Sequence, residues 1–233
     1  MTAPLSIVFP LYAGMTHLDF TGPHQFLSRL PGATLTVASV GGLPVKADGL
    51  TFADLARLEE IAGCDVLCVP GGSGCTHAMQ DPVFMAAIRR LAAGARYVTS
   101  VCTGSLILGA AGLLEGRRAA CHWAWREFLP LFGAIPDGGR VVRDGSLITG
   151  GGVTAGIDFA ITVAAELADA RIAQAIQLGL EYAPAPPFNS GHPDTAPAEI
   201  YTMVASISGA NNKVRRAQVE QAAEAYAAGK RAA

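Results

Sequence analysis

Tyr97-Val98-Thr99-Ser100-Val101-Cys102-Thr103-Gly104-Ser105-Leu106 is the stretch on which the fold turns. Its apolar, β-branched start reads as a buried strand ending at Val101. A cysteine follows at once, then small residues, then a helical stretch over 106–114. A side chain at such an elbow stands at the C-terminal edge of a parallel sheet, where open α/β folds place their ligands. The same alternation recurs on both sides. Residues 5–9, 34–40 and 66–69 read as strands, and 83–93 as an amphipathic helix started by Asp81-Pro82. Continuous apolar strands separated by helices imply an α/β three-layer sandwich with a mostly parallel sheet. Residues 141–143 and 147–149 flank Asp144-Gly145-Ser146 and read as a β-hairpin. Gly150-Gly151-Gly152 then opens a long helical stretch to about Leu180, which Pro184-Ala185-Pro186-Pro187 breaks. Residues 198–228 read as a C-terminal helix or helix pair.

Composition sets bounds on function. The 233 residues are 51% hydrophobic and 15% charged, enough for one large core with a helical appendage. A net charge of −2 gives no electrostatic footprint for nucleic acid. No apolar run is long enough to span a bilayer, and the start lacks the basic-then-apolar order of a signal peptide. Cys64, Cys68, Cys75, Cys102 and Cys121 make an odd set with no disulfide framework, which favours a reducing cytoplasm.

Four places carry chemistry in principle. At the elbow, the following helix aims free N–H groups and its positive dipole end at the Cys102 sulfur. That stabilises thiolate over thiol; the alternative is a buried structural cysteine. Val66-Leu67-Cys68-Val69-Pro70-Gly71-Gly72-Ser73-Gly74 runs a strand into a glycine-rich loop. The loop is either an oxyanion hole or a tight turn, and it lacks the Lys-Ser/Thr of a P-loop. Leu18-Asp19-Phe20-Thr21-Gly22-Pro23 opens a helix after the first strand, so Asp19 either caps that helix or faces the cleft as a proton carrier. The glycines at 150–152 allow close backbone approach, or simply leave the hairpin. His122 is a conceivable base for Cys102, or a polar residue packed under Trp123 and Trp125. Cys75 and His77 lie near the glycine loop without an assigned role. Neither the cysteines nor His17, His24, His77 and His192 have metal-ligand spacing, so no metal is expected.

Taken together, the Cys102 elbow, the Val69-Pro70-Gly71-Gly72 loop and the Asp19 helix opening resemble the ThiJ/PfpI superfamily, with its flavodoxin-like, class I glutamine amidotransferase-like fold. The likeness covers residues 1–197, leaving 198–233 as a C-terminal helical extension of the same domain. Within the superfamily, four stretches are similar to the isocyanide hydratases: 18–24, 95–105, 149–160 and 180–189. The resemblance implies addition of water to an isocyanide (isonitrile), giving an N-substituted formamide. It implies Cys102 as nucleophile forming a covalent thioimidate, Asp19 as general acid and base, and Thr103 hydrogen-bonding substrate or water. It implies that Gly72, Gly152 and Val153 line the substrate site, that no cofactor is needed, and that the protein is a homodimer. It also implies a small neutral, mostly apolar substrate, with which the weakly charged neighbourhood of the motifs is consistent.

Two departures from other superfamily members bear on activity. Thr103 stands where peptidase-like members have histidine, and Asp19 where others have glutamate. A cysteine amidase or peptidase would need His122 as its base, whereas a glyoxalase-like enzyme would share the Cys-carboxylate pair. A transcriptional regulator would need a DNA-binding domain for which the chain after Pro197 is too short. In that C-terminal segment Ile200, Met203, Val204 and Ile207 recur at helical spacing and Val214 extends the stripe. Val219 fits it less well, and Gly209 is placed to interrupt the helix. The stripe either covers a dimer surface or packs back on its own subunit.

Overall fold

A computed structural model describes residues 5–208 and 213–232. Eleven strands form among the described residues: β1 (Leu5–Pro10), β2 (Ala33–Ser39), β3 (Val45–Ala47), β4 (Leu50–Phe52), β5 (Ala56–Arg57), β6 (Val66–Val69), β7 (Tyr97–Val101), β8 (Arg118–Ala119), β9 (Ile135–Pro136), β10 (Val141–Asp144) and β11 (Leu147–Gly150). Helices are α1 (His17–Leu27), α2 (Cys75–Ala78), α3 (Pro82–Gly94), α4 (Gly104–Ala110), α5 (Ala155–Leu167), α6 (Ala170–Gly179), α7 (Ala198–Ile207) and α8 (Lys213–Ala232). Seven strands make the central sheet in the order β10-β11-β7-β6-β1-β2-β5. Every pairing is parallel except β10 with β11, the expected hairpin.

The apolar strands behave as their composition dictates. All four residues of β6 are buried, because helices cover both faces of a parallel sheet. Helices α1, α5 and α6 pack as one group, and α2, α4, α8 and the 3-10 turn at Arg126–Phe132 as another. Asp81 caps α3 by accepting from the N–H groups of Val83 and Phe84, and Pro82 occupies the first turn, where its missing N–H costs nothing. This is the start signal read from the sequence.

One sequence reading needs correction. The stretch from 153 to 180 is not one helix. Asp169 accepts from the Ile172 N–H and caps a new start, so α5 ends at Leu167 and α6 begins at Ala170. In the C-terminal segment, Val214 continues the exposed stripe, whereas α8 beyond it returns to the body, as the poorer fit of Val219 to the stripe anticipated. Val219 is fully buried, whereas Val214 is 68% exposed. Arg216 pairs with Glu127, and Tyr226 donates to Glu115, fastening α8 over the core. Helix α7 buries no residue; Met203 and Ile207 are 59% and 81% exposed. Gly209 lies outside the described residues.

The strand order explains how distant motifs meet. Strands β11, β7, β6 and β1 are successive neighbours running in one direction. The segments that leave their C-terminal ends therefore share one edge of the sheet. Those segments carry Gly150–Val153, Cys102-Thr103, Gly71-Gly72 and, at the start of α1, Asp19.

Candidate active site

Cys102 sits at the sharp end of β7 with φ +59°, a left-handed conformation that a side chain rarely adopts. Such a conformation costs an L-residue roughly 1–2 kcal/mol. Two backbone bonds hold it there: the Cys102 N–H is shared between the carbonyls of Gly150 (3.0 Å) and Gly151 (2.8 Å). The side chain is 4% exposed. The N–H groups of Thr103 and Val153 both point at the sulfur and favour the thiolate. Burial and the neighbouring Asp19 charge act in the other direction and win, so the thiol is held well above its ordinary range. This reverses the depressed value expected from the helix end alone. Helix α4 has only seven residues, and its dipole does not offset removal of the sulfur from water.

Asp19 does not cap α1. Thr16 holds the cap position, and Asp19 lies in the first turn facing inward, completely buried. Its Oδ2 accepts from the Gly71 N–H at 3.0 Å. Its Oδ1 makes no hydrogen bond of good geometry among the described residues. The carboxyl lies close enough to the Cys102 side chain for that group and the Gly71 N–H to favour its charged form. Burial outweighs both and lifts its pKa to about 7. A buried carboxyl with a free lone pair beside a buried thiol is a proton carrier in waiting.

The glycine loop after β6 is what holds the two groups together. A methyl group on Gly71 would stand 2.5 Å from the Thr103 nitrogen, 2.7 Å from Asp19 Oδ2 and 2.8 Å from Cys102 Cβ. The sequence reading named Gly72 and passed over Gly71, which is the closer neighbour; its signal was present in Pro70-Gly71-Gly72. Gly72 is clamped to Thr103: its N–H donates to Thr103 Oγ1 (2.8 Å), and that hydroxyl donates back to the Gly72 carbonyl (2.9 Å). Both loop N–H groups are thus taken by protein acceptors. Thr103's only hydroxyl proton is likewise committed to the loop. Tyr12, also absent from the sequence reading, donates from its hydroxyl to the Pro70 carbonyl at 2.9 Å and fixes the loop from the β1 side.

Beside the elbow lies a cavity of about 490 Å³, floored in part by Gly151, Gly152 and Val153. His122 is in its wall, with its Cδ2 edge 2.9 Å from where a Gly152 side chain would begin. Its Nδ1 accepts from the Ala124 N–H, burial lowers its pKa, and no hydrogen bond joins it to Cys102 among the described residues. Cys75 is buried, with its thiol raised to about 11 by desolvation, while His77 is exposed on the outer side of α2. Cys64 and Cys68 are raised to about 12, again by burial. Among the described residues no group of three or more His, Cys, Asp or Glu could hold a metal ion. No described helix is long and apolar enough to cross a membrane.

The whole chain, rather than the site alone, can be set beside known proteins. Residues 5–166 match the DJ-1/PfpI family. The chain belongs to the DJ-1/PfpI family. It is 50% identical to the isonitrile hydratase of Pseudomonas putida, over 94% of this chain and 96% of that one. Among solved structures, a ThiJ/PfpI family protein from Pseudomonas syringae superposes with a TM-score of 0.89 at 41% identity, covering 95% of this chain and 91% of the other. Drosophila melanogaster DJ-1beta matches with a TM-score of 0.69 at 26% identity, over 78% of this chain and all of that one. The DJ-1/PfpI fold is therefore the frame in which Cys102 and Asp19 meet.

Proposed function

We propose that this DJ-1/PfpI member is an isocyanide hydratase, converting R–N≡C and water to R–NH–CHO. The reading is carried by the meeting of Cys102 and Asp19, in a chain half identical to an isonitrile hydratase over almost its whole length. Near neutral pH the sulfur holds its proton and Asp19 is close to half ionised. An isocyanide carbon accepts both a nucleophile and a proton. Asp19 takes the thiol proton as the S–C bond forms, then delivers it to that carbon, leaving a thioimidate, Cys102–S–CH=N–R. Water adds next: Asp19 accepts a proton from it, oxygen bonds to carbon, and the nitrogen receives a proton. The S–C bond then breaks, sulfur leaves as thiolate, the C–OH proton is lost to give the formyl group, and one proton returns to sulfur. One carboxyl serves both steps because it is regenerated between them.

The remaining parts assist. The Thr103 and Val153 N–H groups steady the departing thiolate, and Gly152 lets the substrate approach the backbone. Gly72 and Thr103 act mainly through their mutual clamp, with Thr103's remaining lone pair available to water. No step calls for a cofactor. Five free buried cysteines fit a reducing cytoplasm, and the exposed apolar face of α7 fits the interface of a homodimer. Residues 198–233 act as an extension of the 1–197 domain, since α8 packs on it directly. The test is formation of N-alkylformamide from a simple alkyl isocyanide by purified protein, followed by NMR, with methylglyoxal as the competing substrate. Turnover of methylglyoxal without any formamide would overturn the reading in favour of a glyoxalase-like enzyme.

A further inference from the structure

The wall of the cavity beside Cys102 carries charge that the hydration chemistry does not use. Two arginines and no carboxylate line this space of about 490 Å³. Arg140 is already neutralised, with its Nε 2.5 Å from Asp158 Oδ2. Arg126 is different. Its guanidinium lies over Gly138, with Nη1 3.2 Å from where a Gly138 side chain would begin. It is half-buried and makes no ion pair or side-chain hydrogen bond among the described residues. Its positive charge reaches Cys121 in the same wall. A guanidinium partly withdrawn from water without an acceptor is an incomplete site, and its planar fork matches a carboxylate. The same cavity is lined by an aromatic side chain, Trp123, whose ring centroid is 5.6 Å from those of His122 and Tyr201.

We infer that the substrate is an isocyanide bearing a carboxylate, its N≡C group toward Cys102, its apolar body against Trp123 and its carboxylate on Arg126. This rests on the isocyanide hydratase reading and narrows its substrate class. This departs from the neutral substrate expected from the sequence: the reacting group is neutral, but the far end of the molecule carries charge.

The experiment compares kcat/KM for isocyanoacetate and its next two homologues, each against its own methyl ester. A charge-assisted contact predicts that the best acid exceeds its ester by about tenfold to a hundredfold. In Arg126→Gln that acid-to-ester ratio falls to about one, and Arg126→Lys recovers part of it. Circular dichroism and melting temperature establish that each variant is folded. Calorimetry with N-formylglycine, the hydration product of isocyanoacetate, reads the carboxylate site without turnover; Arg126→Gln is expected to weaken binding by at least about tenfold. Esters as good as acids throughout, a ratio unmoved in Arg126→Gln, or equal N-formylglycine affinity in both proteins each overturn the inference. If no isocyanide is hydrated, the hydratase reading fails, and calorimetry still decides whether Arg126 receives a carboxylate.

Discussion

Two turns leave neighbouring parallel strands at the same edge of the sheet, and they solve the bend in opposite ways. After β6 the chain turns on Gly71 and Gly72, the latter at φ +133°, where a side chain would begin 2.3 Å from the Thr16 nitrogen. After β7 the chain turns on Cys102 at φ +59°, a conformation in which glycine would be more stable. The first turn therefore has glycine for a packing reason. The second accepts backbone strain, and what it gains is a sulfur aimed at Asp19. Strain that a cheaper residue would relieve marks a place where the side chain itself is wanted.

Substitutions at the two turns break this contrast to different extents. Cys102→Gly is expected to lower isocyanide turnover by about a thousandfold or more. It should also raise unfolding stability by about 1 kcal/mol in urea titration, because strain is released. Loss of stability instead would mean that the elbow is structural. Asp19→Asn should reduce kcat/KM by about a hundredfold or more while the protein stays folded, since an amide cannot relay the proton. Wild-type kcat/KM should fall as the pH drops through about 7, where Asp19 loses the charge it needs to accept the thiol proton. A flat profile across that range would remove Asp19 from the first step.

Gly71→Ala forces a methyl group between Asp19 and Cys102. It should cost about 2 kcal/mol of stability and slow turnover at least about tenfold. Activity retained at wild-type level would show that the carboxyl-thiol spacing is loose.

Asp19 also links pH to stability. A carboxyl whose pKa rises from 3.8 to about 7 on folding favours the folded state while it is protonated. That contribution is fully present below about pH 4 and is lost as the pH rises through about 7, to the extent of roughly 4 kcal/mol. Melting temperature should therefore fall from pH 5 to pH 8 in the wild type and fall much less in Asp19→Asn. Parallel curves would contradict an uncompensated buried carboxyl.

The smallest effect is expected far from both turns. Ile207→Glu on the exposed face of α7 should leave the fold intact and shift the proposed dimer toward monomer in light scattering at micromolar concentration. An unchanged dimer would move the interface elsewhere. Truncation at Pro197 is a poorer test, because it strips Val219 from the core along with α7.

The contrast between the turns was partly legible beforehand. An apolar run ending in cysteine and small residues, and another ending in Pro70-Gly71-Gly72, are local patterns read from neighbours in the chain. Strand type, the helix start at Asp81, the hairpin and the site candidates Cys102 and Asp19 all follow from such short-range rules. The sequence by itself thus determined six of the seven central strands and the mostly parallel sheet they form, whereas the short β5 and the strands outside that sheet, β3, β4, β8 and β9, carry no such local signal.

Tertiary structure decided the rest, because the quantities involved depend on what lies across space. Whether Asp19 caps its helix or faces Cys102 is set by the β6 loop, 52 residues away in the chain, whose Gly71 N–H engages the carboxyl. The direction of the Cys102 shift is set by burial and by Asp19, and neither appears in a local pattern. The unpaired Arg126 becomes visible only when the wall around Gly138 and Trp123 is assembled and its charges are counted. Propensity acts along the chain, whereas desolvation and charge pairing act through space, so only the folded arrangement fixes their sign.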